Sequence, residues 1–340
     1  MVNASNTTVT KHKHHILALL MLIYFFSGLC SLIDQVVWVR LLKTTLGNTV
    51  YASSIVVSVF MGGLALGALI SGRIADRVKH PLRVYAILEV GATASALAVP
   101  YSLRIADVFY KWIYANTFSS SAILLFIQIL ISALLILIPT MVMGSTLPLL
   151  GRFITASNDH IGRMVGRLYF INTFGAAIGC FLAGFLLVRY LGVMGSLYLA
   201  AGFNLLVALG GFVLSIRFAQ NRISQGARMT ELQMAPGTSQ LPGKRYVLIT
   251  AIFMSGFISI GYELVWMRGI IFQLGGFTYV FAAVLTIYLL GNVIGVWIGS
   301  VLSRRFSHHA VPFSITLTFL GAFGVLFVAF YGYWFNQGPF

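Results

Sequence analysis

Charge is what this chain has least of. Asp, Glu, Lys and Arg make up 9% of its 340 residues, and only seven are acidic. Soluble domains carry about 25% charged residues, so a water-soluble globular protein is excluded. Cysteine is scarce too. Cys30 and Cys180 both fall in apolar runs, which implies neither a disulfide framework nor a metal cluster. The N-terminus has no small-residue cleavage site behind a short apolar core, so the first apolar run is a retained helix rather than a removed signal.

What is present is hydrophobic surface. Apolar residues are 59% of the sequence, and the mean hydropathy is +0.93. A spanning helix needs about 20 mostly apolar residues. Nine runs qualify: 16–38, 49–72, 82–103, 120–147, 165–189, 193–217, 246–267, 277–301 and 311–334. They leave no room for a sizeable soluble domain. The fourth run holds Pro139 and Pro148, and it is expected to kink, or to end near Pro139 with a short re-entry, because proline removes a backbone donor. The sequence therefore predicts an all-α polytopic membrane protein of about nine transmembrane helices, with the lipid bilayer as its principal partner.

The net charge of +15 does not mark a nucleic-acid binder. The basic residues sit in short loops between apolar runs, where they set topology. With the N-terminus inside, sixteen of the 22 Lys and Arg fall on the cytoplasmic side and six outside, at Arg40, Lys43, Arg104, Lys111, Arg189 and Arg268. This predicts a cytoplasmic N-terminus. The longest polar stretch, 218–245, reads as a cytoplasmic linker between a six-helix half, 1–217, and an incomplete second half of three helices, 246–340.

The two halves resemble each other. Residues 27–77 laid on 255–305 share 14 identities in 51 positions. They include Gly28/Gly256, Trp38/Trp266, Arg40/Arg268, Gly47/Gly275, Tyr51/Tyr279, Gly63/Gly291 and Gly67/Gly295. A long-period repeat of helix pairs is a plan common among transporters.

Several motifs carry a resemblance to a known family. They are Val37-Trp38-Val39-Arg40 with its copy Val265-Trp266-Met267-Arg268; Phe60-Met61-Gly62-Gly63-Leu64-Ala65-Leu66-Gly67; and Gly72-Arg73-Ile74-Ala75-Asp76-Arg77. Pro139-Thr140, Met143-Gly144-Ser145-Thr146-Leu147-Pro148, Gly166-Arg167-Leu168-Tyr169 and Asn172-Thr173-Phe174-Gly175 follow. The pattern resembles the membrane part of the fused major facilitator/spermidine synthase proteins of bacteria, over most of 15–305. The resemblance implies a major facilitator-like bundle in the bacterial inner membrane, linked to polyamine biosynthesis. It also implies a following aminopropyltransferase-like domain that uses decarboxylated S-adenosylmethionine. That domain has no counterpart here. Every glycine cluster lies in an apolar run, and no acidic pair follows a strand-turn-helix pattern. The expectation is a fragment that stops before the synthase domain, with no catalytic site, metal or cofactor of its own. Its helices would anchor the synthase and bind or pass a cationic amine. The alternative is a major facilitator-type secondary transporter of a small cationic solute. A third reading is a scaffold with no transport cycle.

Particular residues divide between bland and functional readings. Gly63 and Gly67, Gly175 and Gly179, and Gly291, Gly295 and Gly299 stand four apart, a spacing that lets helices approach closely; rocking surfaces would need the same geometry. Gly72, Arg73, Asp76 and Arg77 form either a charged turn that holds topology or a latch in which the acid pairs with a neighbouring span. Trp38 with Arg40, and Trp266 with Arg268, suit interfacial anchors or a symmetric outer gate. The amides Gln128, Asn172, Asn204 and Asn292 suit cross-links between helices. Lys11-His12-Lys13-His14-His15 reads as the basic flank of the first span rather than a metal site. The sharpest signal is acidic. Asp34, Glu89 and Glu263 lie within apolar runs, where a charge costs about 2.5–3.5 kcal/mol on insertion scales. They are candidates for an intramembrane site facing one cavity and holding a cation, either an amine or a proton; structural pairing is the competing reading.

Overall fold

The computed structural model describes residues 2–47, 49–116, 121–155, 161–224, 242–275, 277–305, 315–316, 318–326, 329 and 333. Among them there is no strand, and eight helices are long and apolar enough to cross a membrane. The protein is an all-α polytopic membrane bundle. Hydrocarbon offers backbone groups no water, so each spanning segment closes its hydrogen bonds within itself. Of the ninth run, 311–334, 11 of the 24 positions fall outside the described residues, as do the side chains of 11–15.

The helices are α1 (Val2–Leu46), α2 (Thr49–Ala75), α3 (Pro81–Asn116), α4 (Ser121–Gly144), α5 (Thr146–Thr155) and α6 (Ile161–Leu182). A π-helix, Ala183–Leu187, runs from α6 into α7 (Val188–Tyr190); then come α8 (Gly192–Ser224), α9 (Pro242–Leu274) and α10 (Thr278–Arg305).

Three boundaries depart from hydropathy. α1 continues past Trp38 to Leu46 because Val39 and Leu42 bury on one face while Arg40 and Thr44 stay exposed on the other. The fourth run does not stop at Pro139. α4 passes through it and breaks at Ser145, where Pro148 lies in the first turn of α5, a place where a missing N–H costs little. Beside Pro139, the Thr140 hydroxyl bonds the carbonyls of Ile136 and Leu137 at 3.0 and 2.8 Å. α8 runs on through 218–224, so the linker is helical there; 225–241 lie outside the described residues.

One pair of repeat positions shares a backbone conformation. α1 ends at Leu46 and Gly47 follows with φ +68°; α9 ends at Leu274 and Gly275 follows with φ +89°. The two glycines are equivalent in the repeat. Each takes the left-handed conformation that closes a helix C-terminus and that glycine alone adopts freely.

The chain divides into two compact units, residues 1–228 with 267–293, and residues 229–266 with 294–340. In the first unit α1 packs on α6, α8 and α2, while α4 packs on α2 and α3. Glycine sets two of these seams. A Cβ on Gly175 or Gly179 would collide with the backbone carbonyls of Phe25 or Leu29, fixing α6 against α1. A Cβ on Gly63, Gly67 or Gly144 would meet Thr140, Met141 or Leu64, fixing α2 against α4. Ser145 Oγ donates to Gly67 O across that seam at 3.1 Å. An apolar core of Leu20, Ile23, Leu82, Leu150, Leu168 and Val207 fills the end where α2 stops. In the second unit Trp266 stacks on Phe323 with centroids 6.3 Å apart.

Candidate functional site

Ser27, Ser31, Asp34 and Trp38 follow one another at spacings of four, three and four, so they form one stripe along α1. Ser27 donates from Oγ to Glu89 Oε1 of α3 at 2.7 Å, and both residues are buried. The Tyr85 hydroxyl lies beside the same carboxylate without closing a hydrogen bond. Ser31 turns its hydroxyl back to Ser27 O at 2.8 Å.

Asp34 stands seven residues on from Ser27, about 10 Å along the helix axis. It is 2% exposed, and no protein group bonds its Oδ1. Neighbouring Gln35, fully buried, has neither amide atom bonded, and the Trp38 indole N–H is equally without a partner. Polar atoms this buried almost always have a partner, and exceptions concentrate where a water, an ion or a reacting group completes the bonding. Three such residues on one and a half turns of α1 make this the least satisfied polar stretch among the described residues of the first unit.

The buried charges are one-sided. Asp34, Glu89 and Glu263 are each 2–3% exposed, and no Lys, Arg or His is buried among the described residues. Asp34 and Glu89 share the first unit on facing helices. Glu263 lies on α9 within the second unit, and the site is built on the other two.

The remaining candidates sort by environment. Trp38 is 0% exposed and packs its ring on Phe60; it is a core residue, not a headgroup anchor, because α1 continues beyond it. Trp266 is half-buried, and Arg40 and Arg268 are exposed. Asp76 Oδ1 accepts from Arg152 Nη1 of α5 at 2.6 Å, joining the end of α2 to a neighbouring helix; Arg73 and Arg77 are exposed. A Cβ added to Gly291, Gly295 or Gly299 would have no described atom within 4 Å. Of the amides, Gln128 Nε2 reaches Thr45 O at 2.9 Å and Asn172 Nδ2 reaches Tyr24 O at 3.0 Å, each linking two helices.

Sequence reasoning found the acids but missed their surroundings. Ser27 and Gln35 give no signal in isolation, since a lone Ser or Gln in a span is ordinary. Only the spacing from Asp34 and Trp38 places Ser27 on their stripe, with Gln35 beside it. No family model matches the chain, and no curated protein or solved structure is detectably similar to it.

Proposed function

We propose that the first unit binds a small cation within the membrane, an amine or a proton, through Asp34 and Glu89. The observation that carries this reading is the imbalance of buried charge: buried acids with no buried base among the described residues. An intramembrane acid without an internal counter-charge is a functional site by default. A protonated amine offers both the charge and the N–H donors that Asp34 and Gln35 lack. Together with the motif resemblance, this favours a major facilitator-like bundle in the bacterial inner membrane, N-terminus cytoplasmic, serving polyamine synthesis beside an aminopropyltransferase-like partner domain.

The test is titration of spermidine into the purified chain by calorimetry. Asp34→Asn and Glu89→Gln keep size and acceptors while removing charge, and each is expected to weaken binding by about ten-fold or more, equivalent to about 1.4 kcal/mol. Binding that survives both substitutions unchanged ends this reading.

A second reading, secondary transport of a small cationic solute, is favoured by the Asp76–Arg152 pair, which joins two helix ends as a conformational latch would. Uptake of labelled spermidine into proteoliposomes separates it from binding alone.

A further inference from the structure

Where α1 ends, the first unit holds an open cavity of about 910 Å³. Arg40, Lys43 and Arg189 line it together with the rings of Phe185, Phe277 and Tyr279, and no acid is among its described lining residues. We propose that this cavity binds an anionic group, a phosphate or a carboxylate, carried on an apolar body. It is separate from the acidic site and does not depend on it.

Three features support the assignment. The cations come from distant parts of the chain. Arg40 and Lys43, three apart on α1, share a helix face, and Arg189 arrives from α7. A sphere of this volume has a radius of about 6 Å, below the Debye length of about 8 Å at physiological salt, so an anion at its centre would feel the lining cations with little screening. Among the described residues neither Arg40 nor Arg189 has an acidic partner; Arg189 lies only over the Tyr190 ring, at 5.7 Å.

The wall is also built rather than incidental. The π-helix Ala183–Leu187 precedes Arg189 and contributes Phe185. Such turns are rare and concentrate at functional sites. By adding a residue to the turn, the π-helix re-aims the side chains that follow it. Gly184 allows Ala282 of α10 to sit directly on this turn, and Cys180 Sγ donates to Ala282 O at 3.5 Å. That contact holds the start of α10, with Tyr279, at the cavity. Cations together with flat apolar rings match a ligand that is charged at one end and greasy at the other.

An anionic lipid of the leaflet and a water-soluble organic anion share this chemistry. Dihexanoyl phosphatidylglycerol and glycerol 3-phosphate distinguish them, with dihexanoyl phosphatidylcholine as the zwitterionic control. Each is titrated into the full chain in neutral detergent and read by microscale thermophoresis. Phosphatidylglycerol is expected to bind and phosphatidylcholine not to. Binding of phosphatidylglycerol alone assigns the ligand to the lipid; binding of glycerol 3-phosphate as well assigns it to a soluble anion. The exposed pair Arg40→Gln with Arg189→Gln is expected to weaken binding by about ten-fold or more. Arg40→Lys with Arg189→Lys should retain it, and Arg104→Gln, outside the cavity, should leave it unchanged. Failure of both anions to bind, equal binding of phosphatidylcholine, or indifference to the double glutamine substitution overturns the proposal.

Discussion

Ser27 of α1 and Glu89 of α3 meet through one buried hydrogen bond, Oγ to Oε1 at 2.7 Å, between helices whose bonded residues lie 62 positions apart in sequence. The bond fixes one oxygen of an acid that has no buried base to pair with among the described residues, and it ties two spans together at that depth. Removing the hydroxyl leaves the carboxylate in place with one donor fewer. Ser27→Ala is therefore expected to destabilise the protein by about 0.6–2 kcal/mol, the range for buried polar contacts between membrane helices. Glu89→Gln keeps an acceptor for Ser27 and should cost less. Reversible unfolding in mixed micelles measures both; a greater loss for Glu89→Gln would mean that the negative charge itself holds the helices.

The seam between α2 and α4 makes a sharper demand. Gly67→Ala puts a methyl against Met141 O, and Gly63→Ala puts one against the Thr140 hydroxyl. Backbone cannot step aside as a flexible side chain can, so Gly67→Ala is expected to cost about 1–3 kcal/mol by overpacking. Gly62 and Gly72 have open space at the same position on the same helix, and alanine there should be neutral or stabilising by up to about 1 kcal/mol through helix propensity. Thermal unfolding of the four variants in one detergent checks the contrast. Equal effects at Gly62 and Gly67 would contradict the seam.

Gly47 and Gly275 test the repeat through backbone conformation. Nothing lies within 4 Å of a Cβ at Gly47, so Gly47→Ala meets only the left-handed backbone penalty of about 1–2 kcal/mol. Gly275→Ala carries the same penalty plus a contact with the Phe277 ring, and is expected to cost more. Paired unfolding curves would show both losses. An unchanged Gly47→Ala variant would remove the turn as evidence that the two helix pairs close alike.

What the sequence made legible follows from which forces act locally. The membrane bundle was readable because each span must be apolar along its whole length. The buried acids were readable because an ionisable residue in such a run is conspicuous wherever it points. The break at Ser145 was not readable, since Pro139 is the stronger local signal, and only packing against α2 decides that the helix continues through it. The burial of Trp38 was equally hidden. A Trp followed by Arg looks interfacial, yet Leu42 beyond it is fully buried, so the helix goes on. Arg40, Lys43 and Arg189 read as topology markers one by one. Their convergence on one cavity depends on a π-turn that no propensity announces.

The Asp76–Arg152 pair separates a latch from a stabilising contact. Asp76 is 89% exposed and Arg152 33%, and exposed ion pairs are worth about 0.2–1 kcal/mol. Asp76→Asn and Arg152→Gln should thus leave global stability nearly intact, with a coupling in a double-mutant cycle below about 1 kcal/mol that fades at 1 M salt, where the Debye length is about 3 Å. The local consequence is larger. The turn after α2 rests on Arg77 N–H to Ile74 O at 2.8 Å and Val78 N–H to Ala75 O at 3.2 Å, and the ion pair pins this turn to α5. Amide hydrogen exchange at Arg77 and Val78 is expected to quicken in Asp76→Asn at low salt, and in the unmodified protein at high salt, while the core around Leu150 and Leu168 keeps its protection. If those two amides exchange at the same rate with and without the pair, the contact holds nothing in place and the turn serves topology alone.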